Sequence, residues 1–123
     1  MSGCSVKVYL GNRLLWSGIK PANTAWTRLV GLIRTPRLGP DEGLIIWPCK
    51  QVHGFHMKYA LDVIFLDQKM KVVSITTLVP GQVSPWFRAA HYALEVTAGQ
   101  ARLFGLRTGD MLYMEHAGKL SQA

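Results

Sequence analysis

The stretch Gly43–Val79 constrains the fold more than any other part of the sequence. It contains two short runs that are apolar on both faces, 44–47 and 61–66, and a third segment, 71–79, in which apolar and polar residues alternate. Short apolar runs bounded by turn residues predict strands, and a run that is apolar on both faces predicts a strand covered on both sides. We therefore predict that residues 61–79 form the central hairpin of a sheet.

Residues 5–19 predict a second hairpin. Apolar and polar residues alternate up to Gly11, which with its neighbour asparagine supplies turn residues, and the segment 13–17 returns as a strand. Pro21 is expected to end this strand. Further strands are predicted at 92–97 and 111–115, followed by a polar, frayed end.

Two short helices complete the pattern. The first covers 24–35, where apolar residues fall on one helical face, and ends before Pro36. The second covers 98–104, where Thr97 and Gln100 have the spacing of a reciprocal cap. About seven strands and few crossover helices favour a mainly β protein, a small antiparallel β-barrel or jelly-roll-like sandwich. We expect one domain over 1–123, with its core at about 5–115.

Composition limits the classes of function. Hydrophobic residues make up 49% and charged residues 17% of the chain, which excludes general disorder. The net charge of +7 favours anionic partners, including nucleic acid, but the 14 Lys and Arg are scattered and form no stripe. Arg28 and Arg34, near the end of the first predicted helix, are candidate anion contacts.

The sequence predicts a cytoplasmic protein with reduced thiols. The N-terminus has no apolar stretch of the kind that an export signal requires. No apolar run approaches the roughly 20 residues of a membrane span. Cys4 and Cys49 are therefore expected to stay reduced.

Ionisable side chains cluster between residues 49 and 62. Cys49, His53, His56 and Asp62 are zinc-ligand types, but the spacing fits no zinc finger, and His53 and His56 have opposite parity in an extended chain. We predict no metal and no cofactor.

Cys49 and His53 could instead act as nucleophile and base. One helical turn between Pro48 and Gly54 would bring them together, whereas in a strand four residues span roughly 13 Å. The structural alternative, a small apolar cysteine and a hydrogen-bonded histidine, is the interpretation that the sequence favours.

Three further side chains complete the candidate pocket. Asp62 begins a buried strand and needs hydrogen-bond partners, and the same holds for Glu95. Met57 shares its parity with His53 and either lines a pocket or belongs to the core. Trp86 and its neighbour Phe87 lie on a loop. Trp86 either stacks against a ligand or forms, together with Phe87, a lid on the core.

Several motifs recur together along the chain. In order they are Arg28-x-x-Gly31-Leu32-x-Arg34, Glu42-Gly43-Leu44, Pro48-Cys49-x-x-x-His53-x-x-x-Met57, Leu61-Asp62-Val63-x-Phe65-Leu66-Asp67, Leu94-Glu95-x-x-x-Gly99 and Gly109-Asp110. Their order and spacing resemble the prokaryotic domain-of-unknown-function family one-ninety-two, over residues 24 to 115. The resemblance implies a compact, mainly β, barrel-like or jelly-roll-like domain and implies no reaction. Many members of that family are exported.

A binding module is the function that the sequence favours, ahead of an enzyme. We expect a pocket near the 48–62 segment and the 80–91 loop, suited to an anionic or polar ligand. The alternatives are a cysteine- or metal-assisted hydrolase and a non-specific nucleic-acid binder, which would combine basic groups with exposed aromatic rings.

Overall fold

The computed structural model describes residues 5–22, 38–54, 57–116 and 119–121. Within these residues the elements are β1 (Val6–Leu10), β2 (Arg13–Ala22), β3 (Glu42–Ile46), β4 (Leu61–Leu66), β5 (Val72–Leu78), β6 (Tyr92–Thr97), α1 (Gln100–Leu103), β7 (Leu112–His116) and β8 (Lys119–Ser121). None of the helices in this part of the chain is long and apolar enough to cross a membrane.

The strands form one sheet in the order β5-β4-β6-β3-β2-β1-β7-β8. All neighbours are antiparallel except β2 and β3, which run parallel. The sheet curls until β5 meets β7, where Lys71 pairs with Met111 and the Leu112 amide donates to the Met70 carbonyl at 3.0 Å. This mainly β, barrel-like architecture confirms the fold class that the sequence predicts.

Strand β4 separates two hydrophobic clusters. Leu61, Val63 and Phe65 belong to a cluster on one face of the sheet, which we call the outer cluster. Ile64 and Leu66 belong to a larger cluster inside the curl, the inner cluster. Because alternate residues of a strand point to opposite faces, all six residues of β4 are buried. The prediction of a strand covered on both sides is confirmed.

Strand order differs from the prediction in one respect. The hairpin of β4 and β5 is not central, because β5 stands first in the order and β6 pairs with the other edge of β4. Periodicity identifies the buried faces of a strand but not its neighbours.

Strand structure extends beyond the predicted residues at two places, the end of β2 and the end of the sheet at β8. Pro21 lies inside β2, opposite Ile45, rather than at its end. Strand β1 pairs with β2 only as far as Ile19, so Pro21 has a ladder neighbour on one side only, as at a sheet edge, where proline is tolerated. Strand β8 pairs with β7 where a frayed end was expected.

The helix predicted at 98–104 is present as α1 and is followed by Gly105, which has a φ of +68°. Its predicted cap is not formed: Gly99 occupies the N-cap position, and no side chain of the helix start closes the first turn. The helix predicted at 24–35 lies outside the described residues.

Candidate functional site

Two segments that the sequence assigns to the pocket lie side by side. The chain from 49 to 54 runs along the loop from 81 to 91. Backbone hydrogen bonds join them, from Gly54 to Gln82 (2.7 Å), Ser84 to Val52 (2.9 Å), Phe87 to Lys50 (2.9 Å) and Cys49 to His91 (2.8 Å). These bonds fix the backbone from which the side chains of the two segments project.

Cys49 and His53 do not share a helical turn. The chain between them bends at Lys50 and contains no helix, and His53 forms an isolated bridge with Val83. Cys49 is half-buried, and its thiol donates to the Gln51 carbonyl at 3.3 Å, whereas His53 is exposed.

Asp62 lies on the inner face of the sheet, because it alternates with Leu61 and Val63 of the outer cluster. Cys49 packs against that outer cluster, so the structure does not bring the two together. The Asp62 carboxylate accepts hydrogen bonds from the Thr77 hydroxyl (2.8 Å) and from the amides of Gly99 (2.9 Å) and Ala101 (3.0 Å). It is therefore fully engaged in joining β4, β5 and the start of α1.

Glu95 points to the outer face and is fully buried. Its charge, together with that of Glu42 and with burial, raises the pKa of the nearby Tyr59 hydroxyl above its ordinary value of 10.0, burial being the largest cause. Met57 is buried in the same cluster. Sequence reasoning did not select Tyr59, because nothing in the alternation of its neighbours places it beside the two carboxylates.

Trp86 and Phe87, the aromatic pair on the loop, differ in their surroundings. Phe87 packs against Phe65, with ring centroids 4.6 Å apart, and covers the outer cluster. Trp86 is 65% exposed. The lid function expected for this pair belongs to Phe87, and the Trp86 ring remains accessible to a ligand.

The candidate anion contacts and the candidate metal ligands are considered next. Arg28, Arg34 and His56 lie outside the described residues. Among those described, no three His, Cys, Asp or Glu side chains form a group suited to a metal ion.

A depression of about 450 Å³ lies where the tip between β4 and β5 faces the end of the 81–91 loop. We call it the basic depression. Its lining consists of Lys50, Asp67, Gln68, Lys69, Lys71, Ala89, Ala90 and His91. Lys69 and Lys71 lie in the connection between β4 and β5, and only the fold brings them close to Lys50.

Lys50 is held in place rather than extended into solvent. Its ammonium group donates to the carbonyls of Arg88 and Ala90, both at 2.7 Å. An ammonium group has three donors, so these bonds use two of them and leave a third. The charge is thereby fixed at the wall of the depression.

The opposite wall is also preorganised. The Asp67 side chain accepts the amides of Lys69 (2.8 Å) and Lys71 (3.0 Å), and Met70 between them has a φ of +70°. Both bonds go to Oδ1, so the backbone uses about half of the acceptor capacity of the single carboxylate in the lining. Three lysines and one carboxylate give the depression a positive potential.

Comparison with known proteins gives the family. The sequence profile of the family described as DUF192, an uncharacterized group, matches residues 8–114. The chain belongs to the DUF192 family. A UPF0127 protein of Pyrococcus horikoshii is 31% identical over 106 residues, which cover 80% of this chain and 90% of that protein. A UPF0127 protein of Pyrococcus abyssi is 39% identical over 59 residues, 48% of this chain, and the match spans only half of that relative.

A solved structure shares the fold. The crystal structure of a protein of unknown function from Novosphingobium aromaticivorans superposes with a TM-score of 0.73 at 24% identity, covering 87% of this chain and 81% of that one. At 24% identity this likeness concerns the fold alone.

Proposed function

We propose that the protein is a binding module for a small anionic ligand, which occupies the basic depression. The observation that supports this is the anchored ammonium group of Lys50, with two carbonyls at 2.7 Å and a remaining donor. A fixed cation has little side-chain entropy left to lose when an anion binds, so it contributes more to affinity than a mobile surface lysine.

The other lining groups suit the same ligand. Lys69 and Lys71 add two positive charges on a tip that is stabilised by Asp67, and His91 adds a ring that stacks edge-on against Tyr92, with centroids 4.7 Å apart. The backbone of His91 is fixed by bonds to Leu66 (2.7 Å) and Cys49 (2.8 Å). A phosphate or carboxylate group entering the depression meets one anchored ammonium group, that of Lys50, and two further lysines on a backbone that is already fixed.

The test is a titration with inorganic phosphate, citrate and adenosine monophosphate, followed by amide chemical shifts. We expect the shifts to concentrate at Lys69, Lys71 and His91. Lys71→Met should weaken binding about fivefold, because an exposed ion pair contributes up to ~1 kcal/mol. Lys20→Met, an exposed lysine on β2, is the control and should leave the affinity unchanged.

Two results would overturn the proposal. One is the absence of localised shifts with all three anions at millimolar concentration. The other is an equal loss of affinity in Lys20→Met, which would mean that only the overall charge attracts the anions. The protein is also titrated with a single-stranded oligonucleotide. Tight binding to it, falling steeply with salt and without binding of the small anions, would favour the nucleic-acid alternative instead.

A further inference from the structure

A second depression lies on the outside of the sheet, away from both clusters of candidate residues. It has a volume of about 460 Å³ and is lined by Tyr9, Gly11, Asn12, Tyr113 and Glu115. We call it the tyrosine depression. Among the described residues its lining contains two aromatic rings and one carboxylate but no lysine or arginine, although the protein carries a net charge of +7.

The strand register creates this surface. Val8 of β1 and Leu112 and Met114 of β7 point into the inner cluster, so the residues between them face outward. Tyr9 and Tyr113 are direct cross-strand partners, so both side chains project from neighbouring positions on the outer face.

The row continues across a third strand. Leu14 of β2 is the partner of Tyr9 on its other side and is 44% exposed. Leu14, Tyr9 and Tyr113 form a flat apolar strip across β2, β1 and β7. The turn at Gly11, where φ is +64°, closes one end of the strip.

Glu115 supplies the charge. The Tyr9 hydroxyl donates to its Oε1 atom at 3.2 Å, which orients the carboxylate over the strip and leaves its other lone pairs to accept further donors. Burial, and after it this contact with Glu115, raises the pKa of Tyr9, so the phenol stays protonated and adds no second negative charge.

We propose that the tyrosine depression binds an organic cation, a compound that carries an alkylated ammonium group. The negative faces of two electron-rich rings attract a cation, and a carboxylate at the rim neutralises its charge. The flat apolar strip accommodates the alkyl substituents. This site is independent of the basic depression and has the opposite sign of charge.

Lys7 provides an internal check. It is exposed and is the cross-strand partner of Glu115, yet it does not line the depression. Because directly opposed side chains of two strands are close together, its positive charge lies near the same carboxylate and opposes the binding of a second cation. Removing this charge should strengthen the binding of a cation and leave the binding of a neutral ligand, such as a sugar stacked on the tyrosines, unchanged.

The experiment is a titration of the full chain with choline, monitored through the ring signals of Tyr9 and Tyr113. The comparators are 3,3-dimethylbutanol, which has the same shape without the charge, and methyl glucoside. Sodium chloride at equal ionic strength controls for screening. We expect choline to shift both rings and dimethylbutanol to bind at least fivefold more weakly. Glu115→Gln should weaken choline binding about fivefold, and Lys7→Gln should strengthen it.

Two control variants test whether a change in choline binding reflects unfolding or the overall charge. Tyr113→Leu keeps an apolar side chain on the strand, so an unchanged melting temperature with lost choline binding would support the proposal. Lys20→Gln removes a positive charge elsewhere and should not alter choline affinity. Equal affinity for choline and dimethylbutanol, tighter binding of methyl glucoside, or no ring shifts at 100 mM choline would each overturn the proposal. Loss of phosphate binding at the basic depression would leave this result unaffected.

Discussion

Asp62 on β4 closes the first turn of α1 by accepting the amide of Ala101 at 3.0 Å. The same carboxylate oxygen accepts the amide of Gly99 at 2.9 Å. A residue from a distant strand thus takes the place of the side-chain cap that the helix does not supply itself. This explains why a charged residue stands near the start of an otherwise apolar buried strand: it connects the sheet to the helix.

Asp62→Asn should destabilise the protein without changing its fold. The substitution removes the charge from three hydrogen bonds. With the Asn oxygen facing the amides of Gly99 and Ala101, its NH2 group faces the Thr77 hydroxyl, which must turn to accept. We expect a loss of about 1–3 kcal/mol in the free energy of unfolding. Urea denaturation measures it. Thr77→Val removes only the hydroxyl bond at 2.8 Å and should cost less. An Asp62→Asn protein as stable as the parent would refute the capping function.

The need for partners at Asp62 could be predicted, but their identity could not. A carboxylate in a buried strand must be hydrogen-bonded, and this follows from the sequence alone. The donors lie 37 and 39 residues further along the chain. Local patterns carry no information at that separation, and nearer partners, such as His53, were equally compatible with the sequence.

Contacts between residues distant in the sequence also decide which parts of the site could be predicted. Residues 49–54 lie against the 81–91 loop, near which the pocket was expected, but Asp62 lies on the other face of the sheet. The basic depression was missed because Lys50 and Lys71 become neighbours only through the β4–β5 tip. Alternation along a strand identifies which face a side chain occupies, but it does not identify which strand lies next to it.

Gly43→Ala should be among the most damaging single changes in the sheet. Gly43 pairs with Val96, and a Cβ atom on it would lie 2.3 Å from the Glu95 carbonyl oxygen. Backbone in the centre of a sheet cannot move aside cheaply, so we expect a loss of about 1–3 kcal/mol or more. Thermal denaturation measures it.

Gly39→Ala is the matched control for this change. There the new Cβ would lie 3.1 Å from the end of the flexible Glu42 side chain, which can move. We expect a smaller loss of stability than in Gly43→Ala. Equal losses would mean that β3 and β6 can separate without cost, contrary to the register.

Cys49 should react slowly with iodoacetamide in the folded protein. Its thiol is half-buried and donates to the Gln51 carbonyl, whereas alkylation requires an accessible thiolate. In a Cys4→Ser background, we expect alkylation to accelerate when urea unfolds the chain at the same pH. Faster reaction in the folded state than in urea would mean an activated cysteine and would support the hydrolase alternative over a binding module.

Tyr59 should make the protein less stable at high pH. Its pKa in the native state is raised above 10.0, first by burial and then by the charges of Glu42 and Glu95. The unfolded chain therefore loses this proton at a lower pH than the folded chain does. The contribution to stability is complete below about pH 10 and is lost as the pH rises through the native pKa. The free energy of unfolding should fall over that range, and less steeply in Tyr59→Phe. The difference in absorbance at 295 nm between the parent and this variant gives the titration of Tyr59 directly, and a midpoint at or below pH 10 would contradict the burial of its hydroxyl beside the two carboxylates.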